Sequence, residues 1–308
     1  MIIRIGFAPG AGGLPGQDGL VALAQGLERE GFDSLWVSER ATTEAEDPVV
    51  TLAFAAALTS RIKLGTAVMT LPGRPPALLA KQLASLDRLS GGRLLPAFGL
   101  GLRHPAEQQA FGVRREERVA LFEEVLPLLR RFWAGEAVTH HGPRYHYEGL
   151  RVPPAPAGGG FDVWMGGASE PELRRTGRLS DGWLAAFTTA AEAERGRETV
   201  LRAAAEAGRE IEEEHFGAVV PYRRGVLRPP AEERLARSRA VLGPARPDEV
   251  VPDLESLEAH LRRLIGAGLS KFVLVPLDRQ GSWDRELADV RDAVLSLQTV
   301  RGARLTTS

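Results

Sequence analysis

Short apolar runs alternate with longer amphipathic stretches all along the chain, the signature of βαβ units around a parallel sheet. Ile2–Phe7 reads as a first strand, followed by a Gly-rich loop and a helix over Gly19–Glu30 that stops at Gly31, a residue type common just past helix ends. Ser34–Val37 is the second strand. A helix over Pro48–Ser60 has its proline in the first turn, where the missing N–H does no harm, and leads to a third strand over Ile62–Met69. Pro75 opens the next helix in the same way, and that helix ends at Ser90-Gly91-Gly92. Arg93–Phe98 is almost continuously apolar, as a strand covered on both faces should be, and Glu116–Trp133 forms the fourth helix. Val138–Tyr147 alternates around a His141-Gly142-Pro143 turn and predicts a small inserted hairpin able to cover a barrel mouth. Asp162–Met165, Gly182–Ala185, Phe216–Pro221 and Lys271–Pro276 supply strands five to eight, separated by helices over Pro171–Leu179, Ala190–Ala207 and Leu254–Ala267, with Asp284–Leu297 last. Between Arg223 and Asp253 the prolines Pro229, Pro230, Pro244, Pro247 and Pro252 break the pattern and predict a long loop. The expectation is an α/β fold with residues 1–308 as one domain. It is a single (β/α)8 TIM barrel with a small hairpin insertion and a long loop after strand seven, its functional face at the C-terminal ends of the strands.

Composition permits this fold and removes several chemistries. Of 308 residues, 44% are hydrophobic and 26% charged, close to the globular norm, so a large core can form without metals or disulfides. A formal net charge of -1 provides no basic face for nucleic acid or an anionic membrane, and neither is expected as a partner. The absence of cysteine rules out disulfides, thiolate zinc sites, iron–sulfur ligation and a Cys nucleophile. The chain enters its first strand without a basic leader, and no apolar run approaches the roughly 20 residues that span a bilayer, so cytoplasmic residence is the default expectation. Asn is absent, and lysine occurs only at Lys63, Lys81 and Lys271 against many arginines; heat adaptation and a GC-rich genome produce the same bias.

Candidate chemistry gathers just beyond the strands. Gly10-Ala11-Gly12-Gly13-Leu14-Pro15-Gly16 has the setting of a dinucleotide fingerprint, but Pro15 stands in the place of the third glycine, so it reads as a loop at the barrel mouth. Gly99-Leu100-Gly101 also lacks a third glycine and suits close approach of backbone to a flat ligand. None of the six histidines belongs to a zinc-binding helix motif, and no metal is expected. His140, His141 and His146 lie on the hairpin, where solvent exposure is the plain expectation, whereas His104 lies just beyond strand four and is a candidate proton donor. No G-x-S-x-G elbow is present, and Arg114–Arg118 and Glu212–Glu214 read as solvated helix surface. Glu39-Arg40 directly follows strand two, a functional position in a barrel, with a surface ion pair as the alternative.

Several longer stretches add a resemblance. Gly31-Phe32-Asp33-Ser34-Leu35-Trp36-Val37, Asp47-Pro48, the run Thr59–Val68, the run Leu79–Arg93, Val163-Trp164-Met165-Gly166-Gly167 and Asp181-Gly182-Trp183 occur in this order. Together they resemble the bacterial luciferase-like (LLM class) family of flavin- or deazaflavin-dependent oxidoreductases, especially its coenzyme F420-dependent branch. The likeness covers about the first 185 residues and weakens beyond them.

The resemblance implies an oxidoreductase whose tricyclic cofactor lies across the barrel mouth, with its phosphate tail reaching the strand-five loop. Glu39 matches an acidic residue near the ring, Ala67-Val68 a place where relatives often carry a non-prolyl cis peptide, and Thr70 a polar position beside the ring. Leu100-Gly101 matches the strand-four edge, and Gly166, Gly167, Ala168 and Ser169 match the turn whose N–H groups receive phosphate. Relatives usually place His after the acidic residue; here it is Arg40, a fixed positive charge and a poor proton donor. Glu39, Arg40 and His104 are therefore the candidate catalytic residues. The implied reaction is hydride transfer between reduced coenzyme F420 and a small organic substrate. The alternatives are an FMN-dependent monooxygenase and a non-catalytic (deaza)flavin-binding barrel. Luciferase-like barrels often pair through helices, which makes a homodimer an option.

Overall fold

The computed structural model describes residues 1–10, 16–227, 229–279 and 281–299. Most of the Gly-rich segment after the first strand, residues 11–15, therefore lies outside the described residues. In chain order the elements are β1 (Arg4–Phe7), α1 (Gly16–Glu30), β2 (Ser34–Val37), α2 (Pro48–Leu58), β3 (Lys63–Thr66), β4 (Met69–Thr70) and α3 (Pro76–Leu89). Next come β5 (Leu94–Leu95), β6 (Ala97–Gly99), α4 (Pro105–Phe111), α5 (Arg118–Trp133), β7 (Val138–His141), β8 (His146–Leu150), β9 (Trp164–Gly166) and α6 (Glu170–Leu179). The rest are β10 (Gly182–Ala186), α7 (Ala190–Glu206), β11 (Phe216–Tyr222), α8 (Pro229–Ser238), α9 (Pro247–Val250), α10 (Leu257–Gly266), β12 (Lys271–Pro276) and α11 (Trp283–Val294).

Ten strands form one curled parallel sheet in the order β4-β6-β9-β10-β11-β12-β1-β2-β3-β5, and β7 and β8 form a separate antiparallel pair. Parallel pairing with a helix at each crossover requires strands covered on both faces, and β2 is buried at every position. Successive side chains alternate between the two faces. Trp36 therefore joins Ala8, Ala97, Trp164, Leu184 and Val273 in an inner cluster, while its neighbours Leu35 and Val37 join the larger core that includes the helices. Glycine makes room for the two tryptophans. A Cβ at Gly65 would stand 2.3 Å from the Trp36 ring, and one at Gly182 2.6 Å from the Trp164 ring.

The third and fourth predicted strands are each divided. β3 and β4 are separated by Ala67 and Val68, whose shared peptide bond is cis. β5 and β6 are separated by Pro96, which has no N–H to give to a ladder. The halves pair with each other, β3 with β5 and β4 with β6.

Three expectations need correction. Pro105 starts an unforeseen short helix, α4, ahead of α5. The predicted loop between Arg223 and Asp253 contains α8 and α9, each with a proline at its start, where proline is compatible with the first turn. Arg118, assigned to solvated surface, is buried at 7% exposure. The hairpin is present and folds onto the body through Tyr147, which meets Phe132 edge-on at 5.3 Å. Among the described residues, no helix is long and apolar enough to cross a membrane, and no group of three or more His, Cys, Asp or Glu could hold a metal ion.

Candidate active site

Above the inner cluster, toward the C-terminal ends of the strands, lie residues that are only half-buried: Ala67, Val68, Val219 and Val275. They form an apolar floor. The β4–β6 register sets Met69 beside Phe98 and Thr70 beside Gly99, and β6 in turn places Phe98 beside Met165. The Val68 side chain consequently lies between two glycines. A Cβ at Gly99 would be 2.7 Å from Val68 Cγ2, and one at Gly166 3.2 Å from Val68 Cγ1. Gly101 has φ +81°, and a Cβ there would stand 2.8 Å from Thr70 Cγ2. Half-buried Leu100 lies between these glycines of the strand-four edge. The result is a shallow apolar shelf with backbone rather than side chains along its edge.

Glu39 borders this shelf and is 8% exposed. Its Oε2 accepts the Thr70 N–H at 2.6 Å, and its Oε1 accepts from the Arg74 guanidinium. Burial pushes the Glu39 carboxyl above the ordinary carboxylate range, opposed by the charge of Arg74 and the Thr70 N–H. Arg74 is held in its own right: it donates to Thr70 O at 3.0 Å and lies over the Phe111 ring at 5.6 Å. The hairpin reaches the same place, since the Tyr145 hydroxyl donates to Arg74 O at 3.0 Å.

Two buried charges from the α4–α5 region fix the neighbouring loops. Glu107 accepts from Thr42 N at 2.9 Å, Thr42 Oγ1 at 2.6 Å and Ala41 N at 3.3 Å, which ties down the chain just after Arg40. Arg118 donates to Gly101 O and Leu102 O, both at 2.9 Å, and to Leu100 O at 3.4 Å. The strand-four edge is thus held by one guanidinium.

The turn after β9 is also engaged. Ala168 N and Ser169 N both donate to Glu172 Oε2 at 3.0 Å, so the glutamate of the first turn of α6 folds back over the helix start. Gly167 permits this: its φ is +142°, and a Cβ there would be 2.7 Å from Glu172 Cβ. Trp183 Nε1 donates to Gly167 O at 3.0 Å and fixes the turn from the other side. Although burial opposes it, the N–H groups of Ser169 and Ala168 and the charge of Arg103 hold the Glu172 carboxyl below its ordinary range.

The structure thus gathers Glu39, Ala67, Val68, Thr70, Leu100, Gly101 and Gly166 along one shelf, with Gly167, Ala168 and Ser169 in the turn that follows. Arg40 is exposed at the loop beside them, and His104 is exposed at the N-cap of α4, where its side chain makes no capping hydrogen bond. Of the hairpin histidines, His140 is drawn in by Glu124 at 3.0 Å, while His141 faces Glu148. Sequence reasoning passed over Arg74, Glu107, Arg118 and Glu172. Only two carried a local signal: Ser169 and Glu172 have capping-box spacing, and Arg118 sits in phase with the buried Leu121, Phe122 and Val125 of α5.

Comparison with known proteins adds an independent line. The profile of the luciferase-like monooxygenase family matches residues 2–294. The chain is 31% identical over 186 residues to 5,10-methylenetetrahydromethanopterin reductase of Methanolobus tindarius, covering 60% of this chain and 55% of that protein. It spans about half the length of the curated relatives it matches. The solved coenzyme F420-dependent tetrahydromethanopterin reductase of Methanopyrus kandleri superposes with a TM-score of 0.76 at 18% identity, covering 97% of this chain and 100% of that one. The oxygenating constituent of 3,6-diketocamphane monooxygenase of Pseudomonas putida, in complex with FMN, gives 0.77 at 19% identity, covering 97% and 100%. These two show that the fold is shared.

Proposed function

The chain belongs to the luciferase-like monooxygenase family, and we propose that it is an enzyme of the F420-dependent kind, an oxidoreductase that holds a tricyclic ring on the shelf between Val68 and Gly101. The observation that carries this reading is the shelf itself, an apolar floor edged by Gly99, Gly101 and Gly166 with buried Glu39 beside it. A flat aromatic ring needs such a surface, and the residues present fit it. In the same reading residues 1–308 are one domain. β1, β2, β3 with β4, β5 with β6, β9, β10, β11 and β12 are the eight staves of a (β/α)8 barrel, and copies pair as a homodimer.

When bound, coenzyme F420 supplies hydride transfer to or from a small organic substrate, with reduction of a polarised C=C, C=O or imine as the reaction type. The chain's own residues do the rest. Ala67, Val68, Val219 and Val275 keep water from one face of the ring, and the Leu100-Gly101 backbone borders it. Thr70, Glu39 and Arg74 form a fixed polar group at its edge. Burial holds the Glu39 carboxyl above the ordinary carboxylate range, against the pull of Arg74, while the Arg40 guanidinium holds an anionic substrate or stabilises developing negative charge. Proton delivery falls to Glu39, to His104 or to water. FMN is the alternative cofactor, with the same shelf serving an oxygen-inserting monooxygenase.

Titration of the purified protein with coenzyme F420 and with FMN tests the reading, followed for each by the ring's absorbance or fluorescence. Binding of F420 at micromolar concentration, with a reduced form indifferent to oxygen, supports it. Preference for FMN with rapid reoxidation in air moves the assignment to the monooxygenase. Failure to bind F420, FMN or the unphosphorylated riboflavin and deazariboflavin refutes the ring site. Tight binding without turnover over a broad substrate panel marks a binding barrel, and Arg40→His then tests whether the missing imidazole is the cause.

A further inference from the structure

The ring fits this chain, but the phosphate of its tail does not fit the turn that the resemblance assigns to it. Backbone N–H groups receive an anion when they point at open space, and here the N–H groups of Ala168 and Ser169 converge on Glu172 Oε2, each at 3.0 Å. A carboxylate already occupies the anion position. We propose that Glu172 is a specificity-determining residue that stands in for the phosphate, so that this chain recognises the tricyclic ring and discriminates against a phosphorylated tail at the turn. The proposal rests on the ring-site reading above and deepens it.

Three further observations show that the glutamate is built into place. Gly167 leaves room for the Glu172 Cβ that any other residue would crowd, and its positive φ turns the chain so that both amides face the carboxylate. Trp183 fixes the turn through Gly167 O, which limits the freedom of the amides to turn toward another acceptor. The carboxylate also feels the positive charges of Arg103 and Arg118, so its negative charge is compensated where it lies. A phosphate entering this turn must expel Glu172 or approach it as a like charge, and either outcome weakens binding. A ring compound without phosphate meets neither obstacle.

The test compares ligand pairs that share a ring and differ only in the phosphate, riboflavin against FMN and deazariboflavin against its 5′-phosphate. The protein is taken as wild type and as Glu172→Gln. Glutamine can accept from the same N–H groups when no anion is present, so the variant should fold, but as a neutral and weaker acceptor it yields them to phosphate. For wild type the expected result is that the phosphate adds less than about threefold to affinity. In Glu172→Gln the phosphorylated member tightens by about tenfold, the order expected when a facing like charge is removed, while the unphosphorylated member stays within about twofold. A second measurement uses no ring at all: millimolar inorganic phosphate should raise the melting temperature of Glu172→Gln and leave that of wild type unchanged. Wild type that already prefers FMN to riboflavin by tenfold or more, with a ratio unmoved in Glu172→Gln, overturns the proposal and leaves the ring site standing. If no ring compound binds either protein, the ring-site reading fails; the phosphate measurement still decides whether Glu172 blocks the amides, and no stabilisation of Glu172→Gln overturns that too.

Discussion

Arg118→Met tests whether the strand-four edge is held as the geometry indicates. The wild-type guanidinium, 7% exposed, spans three successive carbonyls, with two bonds of 2.9 Å to Gly101 O and Leu102 O and a longer one of 3.4 Å to Leu100 O. An ionised donor contributes about 1.5–3 kcal/mol per good bond, and the cost of burying the guanidinium offsets part of this, leaving a loss of roughly 2–4 kcal/mol. Methionine fills much of the same volume, so the change reports the bonds rather than a cavity. For a chain of this size each kcal/mol lowers the melting temperature by about 2–3 °C, which predicts a fall of roughly 4–12 °C if the edge opens only with the whole fold. If it opens separately, the melting temperature holds and amide exchange quickens at residues 100–104 instead. Ring affinity should fall in both cases, because Leu100 and Gly101 no longer have a fixed position. Scanning calorimetry, hydrogen exchange and cofactor titration read the three quantities. An Arg118→Met protein that matches wild type in all three would refute the argument that this arginine builds the site.

Other substitutions probe the remaining pieces. Glu39→Gln keeps the shape but leaves the Arg74 guanidinium without its countercharge, and should cost about 3 kcal/mol in thermal stability together with ring affinity; an unchanged melting temperature would show that the pair contributes nothing. Gly101→Ala puts a methyl group 2.8 Å from Thr70 Cγ2 at φ +81°, so it should destabilise by roughly 1–3 kcal/mol and weaken ring binding, and wild-type affinity in this variant would count against the shelf. His260 is 2% exposed, and burial, assisted by Arg263, lowers its pKa to about 4. A folded-state value below the ordinary 6.5 means that the stability it contributes is present above about pH 6.5 and is lost as the pH falls toward 4, by at most about 3 kcal/mol. His260→Phe should flatten denaturant-measured stability across that window, and an unaltered slope would assign the acid sensitivity to other groups.

Much of the framework was legible because it is encoded locally. A run such as Ser34–Val37 or Lys271–Pro276 carries its own period, and the glycines and prolines between runs mark the ends. The errors have specific physical causes. Pro105 and Pro229 look like breakers in isolation, yet at the start of a helix proline loses no hydrogen bond, so they begin α4 and α8. The site splits along the same line. Glu39, Val68, Thr70 and Gly101 could be named as candidates because each lies at or just beyond a strand end and the resemblance marked it. Glu107 was not, because its partners Ala41 and Thr42 are more than sixty residues away and no local pattern joins them.

Arg118 belongs to a wider pattern that changes the meaning of the composition. The large excess of arginine over lysine is equally open to heat adaptation or genomic bias, but three of the buried arginines, Arg93, Arg118 and Arg239, share a task. Arg93 donates to Ser90 O, Ile62 O, Ala56 O and Thr59 O, and so fastens the end of α2 and the start of β3 to the turn before β5. Arg239 joins Glu192 to the carbonyl of Phe187, the one non-glycine residue among those described with positive φ. Each guanidinium reaches acceptors on more than one segment. That demands a planar fork of donors, and an ammonium group, a single point charge on a flexible stem, does not provide it. At these places arginine is therefore selected by geometry whatever the genome or the temperature. The prediction carries over to the site: Arg118→Lys keeps the charge yet should recover only part of what Arg118→Met loses, whereas full recovery would reduce the staple to a charge effect.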